Sequence, residues 1–509
     1  MSSRKTIVNV IANYCGASWA VIINLLLVPI YLRLLGIEQY GLIGFFASIQ
    51  VVLQLLDLGL ATSLSREVAR LSVSPENKKE LADTLKTYSR IYWGIAIVGL
   101  ALTSALAPVI ARYWLNTQVL GRDAIVYATL LTGLSVFVNF PSTVYSGYLL
   151  GSQRMVSFNI ISTGIATLRG VGAVLILKYV SSSLLAFMAW QVVVNLLQTL
   201  VSRQVAWLDY KKGDYRGRFN AAVLKKTYRF AIGTAMVGVF STLIMQMDRF
   251  AVSRFASAKD LGYYVLCANI TAAFGSVVVP ISRAVYPRIV QNFAGGTQSQ
   301  SSGLFHKNTQ IISVLALTLA LLTALFPEQV LWAWTGNKTV AAEAALFLRL
   351  LSVAALVATA NVLASSLQSA KGLTRLTVYT QIISLVCYTP VIFLFSYYWK
   401  GLGAAVAWLC YVVIQTSIYS RLAFREILKD EYARWCVSDL LMPLIKCSPV
   451  FLLAMLLPRA GFSRIEALLF VILVWGLGIA VNVFTTRWLF DSARVYFIRG
   501  LGYFTRTVR

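Results

Sequence analysis

GASWAVIINLLLVPIYLRLLGIEQYGLIGFFASIQVVLQLLDLGL, residues 16–60, carries only Arg33, Glu38 and Asp57 as charged side chains. Two apolar runs flank a short polar break at RLLGIEQ. At 1.5 Å of rise per residue, each run is long enough to cross the hydrocarbon core of a bilayer, roughly 30 Å thick. A water-soluble core seldom needs two such runs back to back, so the stretch reads as two membrane-spanning helices joined by a turn.

The rest of the chain repeats that pattern. Of its 509 residues 58% are hydrophobic and 13% charged, with a mean hydropathy of +0.72; soluble domains run near one quarter charged. Fourteen apolar stretches of crossing length follow: near 8–32, 40–63, 90–114, 124–150, 157–177 and 183–206, then 229–252, 261–286, 310–334, 343–369, 376–398 and 401–424, then 440–457 and 466–487. The expected fold is an all-α integral membrane protein of about 14 transmembrane helices.

With the N-terminus in the cytoplasm, 31 of the 45 Lys and Arg fall in cytoplasmic segments, 10 in outer segments and 4 within spans. This asymmetry is the positive-inside signature, and an even span count places both termini in the cytoplasm. The net charge of +26 is distributed among these loops and forms no basic domain, so nucleic acid is not an expected partner. The six cysteines are scattered without paired spacing, and His306, the single histidine, is read as lying in a polar loop. No metal site and no catalytic triad is therefore expected within the membrane.

Sliding the chain on itself by about 220 residues aligns Arg33 with Arg254, Gly41 with Gly262, Gly151 with Gly372 and Arg154 with Arg375. Small changes of offset align Pro108 with Pro327, Ala189-Trp190 with Ala407-Trp408, and Ser202-Arg203 with Ser420-Arg421. A repeat of six spans, an even number, must be parallel rather than inverted. The expected organisation is an N-terminal six-helix bundle (1–206), a cytoplasmic basic linker (207–228), a C-terminal six-helix bundle (229–425), and additional helices 13 and 14 with a cytoplasmic tail (426–509). A central cleft between the two bundles would give alternating access.

Ionisable groups inside spans are costly and should face protein or water. Gln50, Gln54 and Asp57 recur at helical spacing in span two. Gln246 and Arg249, beside Asp248, do so in span seven, while Asn13 and Asn24 in span one and Asn269 in span eight add polar lining. The interior cations Arg249, Arg169, Arg349 and Lys446 outnumber the interior acids Asp57 and Asp248, so the cleft should favour an anionic cargo. The two acids are candidates for ion coupling, with H⁺ or Na⁺, or for charge balance. Arg33 and Arg254, at equivalent outer span ends, are candidates for a gate. No other cofactor is expected, and no nucleotide-binding G-x-x-x-x-G-K-[ST] loop occurs.

The segment from Asn9 to Leu71 resembles the polysaccharide transporter family, which includes bacterial O-antigen flippases. The likeness lies in VPIYLRLLGIEQYGLIGFF and LLDLGLATSLSREVARL, with Pro29, Tyr40-Gly41, Asp57-Leu58-Gly59 and Arg66, and it extends to the turn from Gly151 to Arg154. The resemblance implies a member of the multidrug, oligosaccharidyl-lipid and polysaccharide exporter superfamily, with spans one, two, seven and eight around a cationic cavity. It implies a transporter rather than an enzyme. The implied cargo is an undecaprenyl-pyrophosphate-linked oligosaccharide, an O-antigen or other surface polysaccharide unit. This would be flipped from the cytoplasmic to the periplasmic leaflet of the bacterial inner membrane, among membrane lipids and alongside a polysaccharide polymerase and glycosyltransferases. In similar proteins the last two helices have been proposed to dock a lipid tail, which would put Lys446 beside that groove. The rival readings are a multidrug and toxin extrusion exporter, which would want acidic residues for cationic cargo, and a membrane glycosyltransferase or polymerase, which would want paired carboxylates.

Overall fold

The computed structural model describes residues 3–115, 120–211, 217–295, 298–370, 374–428, 430–459, 461–486, 488 and 490–491, and no strand occurs among them. Backbone contacts group the chain into two units: residues 1–265 with 377–404, and residues 266–376 with 405–509.

The first unit contains α1 (Ser3–Gln54), α2 (Leu60–Leu71), α3 (Lys78–Val109), α4 (Arg122–Asn139), α5 (Ser142–Gly151), α6 (Met155–Tyr179), α7 (Leu184–Lys211) and α8 (Ala221–Phe255), together with the start of α9 (Ala258–Gly295). The second contains the rest of α9, then α10 (Gln298–Ile312), α11 (Thr318–Leu325), α12 (Pro327–Thr335) and α13 (Lys338–Ala370). Helix α14 (Thr374–Ile427) contributes to both units, and α15 (Tyr432–Arg434), α16 (Met442–Leu456) and α17 (Arg464–Thr485) complete the second. Helices are what a bilayer demands, because each backbone N–H and C=O is satisfied within its own segment.

Among the described residues, eleven helices are long and apolar enough to cross a membrane. Two of them, Ser18–Asp57 at 40 residues and Val378–Leu422 at 45, have about twice the length one crossing needs. Each is interrupted once. Gly36 (φ 79, ψ 168) takes a conformation open to glycine alone, and Lys400 (φ 54, ψ −136) breaks α14. The helix count and the fourteen expected crossings are therefore different quantities, since the polar turns at Gly36 and Lys400 each fall between two apolar runs.

Several expected boundaries shift. Helix α1 stops at Gln54, and Leu55–Asp57 form a tight turn with Leu58 and Gly59 both left-handed, so span two does not run unbroken to residue 63. The expected linker is largely helical, because α7 reaches Lys211 and α8 begins at Ala221. The apolar run at 310–334 is the later part of a longer helical stretch that begins with α10 and takes in His306.

The last two helices pack firmly in the second unit. Phe451 of α16 and Phe470 of α17 close on Phe326, at centroid separations of 6.4 and 5.1 Å. Arg464 donates to the carbonyls of Ala333 and Trp334, at 3.1 and 2.9 Å, and so caps the C-terminal end of α12 with positive charge where the helix dipole favours it. In the first unit, a packing centre gathers Leu64, Val68, Tyr88, Tyr92 and Tyr145.

Candidate functional site

In the first unit, α6 is brought close to α1. Tyr31 donates to the carbonyl of Gly170 at 3.0 Å, and Trp19 Nε1 donates to Thr167 Oγ1 at 2.8 Å. This fixes Arg169, between those two contacts in sequence, against α7. Its Nη2 donates to Asn195 Oδ1 at 2.7 Å and to Gln198 Oε1 at 2.9 Å. Asn195 is held in turn, its Nδ2 donating to Ser135 Oγ of α4 at 2.6 Å. That outer bond leaves the amide oxygen, not the nitrogen, for the guanidinium.

Arg169 opens into a cavity of about 400 Å³, with Asn24, Tyr31, Gln50, Gln191 and Gln198 also on its wall. A second cavity, of about 490 Å³, includes Gln54, Ser65, Asn139 and Ser202, and shares Ser162 and Gln198 with the first. Among the residues lining either cavity, Arg169 is the one that carries charge. Its Nε is buried without a hydrogen-bond partner, and among the described residues no carboxylate pairs with it. A cation held by two neutral amides keeps its charge uncompensated, which in a low-dielectric wall is a strong attraction for an anion.

The structure places the other expected site residues more widely. Arg249 lies on α8 next to Asp248, which is buried and accepts the Tyr264 hydroxyl at 2.8 Å. Gln246, one turn earlier, buries its side-chain oxygen without a hydrogen-bond partner. Asp57 caps α2 by accepting the Ala61 N–H at 3.2 Å, and it also accepts the hydroxyl of Tyr92. Each of the two acids is thus matched with a tyrosine. Arg349 is exposed, with Nε on the Ala324 carbonyl at 3.2 Å, and Lys446 reaches Thr485 O and Thr486 Oγ1 at 3.3 and 2.9 Å, tying α16 to α17. Arg33 and Arg254 are exposed, Arg254 lying over the Phe255 ring, and Asn269 is half-buried on α9. Asn24 bonds its own helix at Ala20 O, whereas the side chain of Asn13 lies outside the described residues.

Arg169, Asn24 and Gln50 are therefore brought to one cavity, with Gln54 on its neighbour. Arg249, Arg349 and Lys446 line neither. Gln191, Asn195 and Gln198 were not among the expected residues, although their i, i+4, i+7 spacing in span six is the same polar stripe that marked span two. The expectation of a loop histidine is also corrected: His306 is a buried helical residue between Asp439 and Glu431.

The repeat-equivalent glycines Gly41 and Gly262 meet backbone to backbone. A Cβ on Gly41 would lie 2.5 Å from Gly262 N, and one on Gly262 would lie 2.2 Å from Ile37 O. No side chain fits there without displacing main chain. One turn further along α1, Phe45 is in edge contact with Phe250 of α8, ring centroids 6.0 Å apart.

Comparison with known proteins agrees with this architecture. Residues 4–293 match the family described as polysaccharide biosynthesis protein, and residues 234–394 match MatE. A Shigella flexneri protein named as a candidate O-antigen transporter is 22% identical over 389 residues, 76% of this chain and 90% of its own. Two solved structures share the fold at 13% identity and a TM-score of 0.67 each. One is an inward-facing multidrug resistance MATE family transporter of the MOP superfamily, with 80% of this chain and 94% of that one covered. The other is the lipid II flippase MurJ in an inward closed conformation, with 94% and 99% covered.

Proposed function

The chain belongs to the polysaccharide biosynthesis protein family, and from that premise we propose that it is a flippase for an undecaprenyl-pyrophosphate-linked oligosaccharide, an O-antigen or other surface polysaccharide unit. The observation that carries the reading is Arg169, a half-buried cation with neutral partners on the wall of a cavity where no acid lies among the described residues. An arginine at a helix centre costs about 2.5–3.5 kcal/mol on insertion scales, so a chain that keeps one without a counter-ion needs a use for it. A pyrophosphate matches it in charge and in bidentate geometry. The amide and hydroxyl groups around it, Asn24, Gln50, Gln191 and Gln198 among them, suit a sugar.

The proposal includes fourteen crossings: the eleven long helices, with the double-length ones counted twice, and α8. It includes both termini in the cytoplasm of a bacterial inner membrane, and movement from the cytoplasmic to the periplasmic leaflet by alternating access of the two six-span repeats. Export is coupled to an H⁺ or Na⁺ gradient, for which the first unit offers Asp57 and Asp248.

The MatE match and the multidrug neighbour favour a second reading, export of cationic drugs. Arg169 opposes it, because a cationic cargo in that cavity would meet like charge with no carboxylate to offset it.

The test is complementation. Deletion of the gene should remove surface polysaccharide and accumulate its lipid-linked precursor inside. Wild type should restore export, and Arg169→Gln should not, at equal membrane abundance. Unchanged polysaccharide with altered drug tolerance would support the multidrug reading instead.

A further inference from the structure

The second unit buries a polar cluster that the anion site does not use. His306 of α10 stands between two carboxylates, with Nδ1 against Asp439 Oδ2 and Nε2 3.1 Å from Glu431 Oε2. Asp439 is fully buried and His306 is 3% exposed, whereas the Glu431 side chain keeps 24% of its surface. Gln310 Nε2 donates to the other Asp439 oxygen at 2.9 Å, and Trp488 Nε1 donates to Gln310 Oε1 at 2.6 Å, which fixes that amide. Ser302 Oγ donates to Glu431 Oε1 at 2.7 Å.

Among the described residues the other titratable and charged groups around it are few, and Arg288 of α9 and Arg425 of α14 are exposed. Arg434 Nη1 lies 3.5 Å from Glu431 Oε2, Tyr432 and Cys436 pack on the same segment, and Arg421 of α14 acts on Cys436 through its charge. Lys307 of α10 stacks over Trp488 at 5.9 Å. Helix α13 also packs on α10, but its described charges, Lys338, Glu343 and Arg349, are confined to its first turns.

A second, independent feature marks the place. Both polypeptide segments widen from α into π geometry beside the cluster: Trp435–Leu441 contains Asp439, and Ser313–Leu317 begins three residues after Gln310. Such π turns give up regular hydrogen bonding and occur frequently at functional sites.

Proton bookkeeping shows what the cluster can do. A neutral imidazole donates from one nitrogen and accepts at the other. With both acids ionised, a neutral ring would therefore point one lone pair at a carboxylate. The geometry calls for one proton more, on the second ring nitrogen or on an acid. Glu431 is held below the usual carboxylate range, first by the Ser302 hydrogen bond, against a smaller opposing effect of burial, and then by His306. Its contacts with the Ser302 hydroxyl and with Arg434 favour the ionised form, which leaves the buried His306–Asp439 contact as the place for the extra proton.

We propose that His306, Glu431 and Asp439 form a proton-binding site, in which the imidazole relays a proton between water at Glu431 and the buried Asp439, and whose occupancy holds residues 431–441 against α10. A proton arriving at Glu431 Oε2 passes to Nε2 as the Nδ1 proton passes to Asp439 Oδ2. The O–H bond at Glu431 and the N–H bond at Nδ1 break, an N–H bond at Nε2 and an O–H bond at Asp439 form, and the proton that enters at Glu431 is matched by one on Asp439. When the proton leaves, a nitrogen lone pair faces a carboxylate in a buried setting and the contact loosens.

The experiment is pH-step difference infrared spectroscopy between pH 5 and 9 on the full-length protein in phospholipid vesicles. The wild type should show a carboxylic acid band that titrates in this window. Asp439→Asn and His306→Gln should each lose it, and Glu431→Gln should keep it with a midpoint shifted by at least half a pH unit. A wild type without a titrating carboxylic band, or an Asp439→Asn spectrum equal to the wild type, would overturn the proposal. If the two core variants do not fold, an unchanged midpoint in Glu431→Gln overturns it and the shifted midpoint supports it. No cargo is present in this measurement, so its outcome is separate from the outcome for Arg169.

Discussion

Each unit holds a basic side chain in polar company, and the company differs. Arg169 is surrounded by neutral amides that accept its hydrogen bonds but leave its charge, whereas His306 is flanked by carboxylates that balance its charge and leave only the question of where the proton sits. In the reading proposed above, the first arrangement is completed by an anion from outside, and the second by a proton. Counting interior cations along the chain treats Arg169, Arg249, Arg349 and Lys446 as equals, yet it is the partner set and the adjoining cavity that separate Arg169 from the rest.

That contrast can be broken by substitution. Arg169→Glu reverses the one charge on the cavity wall and should lower export more than 100-fold in the complementation assay, while Arg169→Lys, which keeps charge and loses the fork, should retain about a tenth. Next in size is Asn195→Ala, which frees a guanidinium hydrogen bond to a neutral acceptor. Losing a bond of that kind is worth about 1.5–3 kcal/mol, so cargo affinity should change by roughly 10-fold to 100-fold. Ser135→Ala should show a smaller change in the same direction, because it acts by freeing the Asn195 amide to rotate.

The smaller effects sharpen the comparison from the other side. Arg349→Gln removes an exposed cation from a backbone carbonyl and should change export less than about 2-fold, since exposed charges contribute little. At His306 the readout is pH. Glu431 is held below its ordinary range, so its contribution to stability is present above that range and is lost as pH falls through the lowered value. The unfolding temperature of wild type should exceed that of Glu431→Gln near neutrality, and the difference should shrink below about pH 4.

Much of the fold was legible in the sequence. The quoted stretch specifies two crossings and a break, and the break falls at Gly36, where only glycine accepts the backbone angles. The pairing of Gly41 with Gly262 by offset marked them as repeat partners, but their close approach is seen only in the structure. The site was legible in part. Gln191, Asn195 and Gln198 form a stripe as regular as the one in span two, but being neutral they escaped a search that weighed charge. Asp57 stands out in the sequence as an acid in an apolar run, but that it also holds the first turn of α2 follows from Leu58 and Gly59, which turn the chain there. The His306 cluster could not be read from spacing at all, since its members are 125 and 133 residues apart and are joined only by packing of α10 on the segment before α16.

The central claim is that Arg169 receives a phosphate-bearing lipid, and binding of undecaprenyl pyrophosphate to the purified protein in nanodiscs tests it most directly. The account predicts that Arg169→Gln weakens binding at least 10-fold while Arg349→Gln binds like the wild type; equal binding by Arg169→Gln and wild type would contradict it.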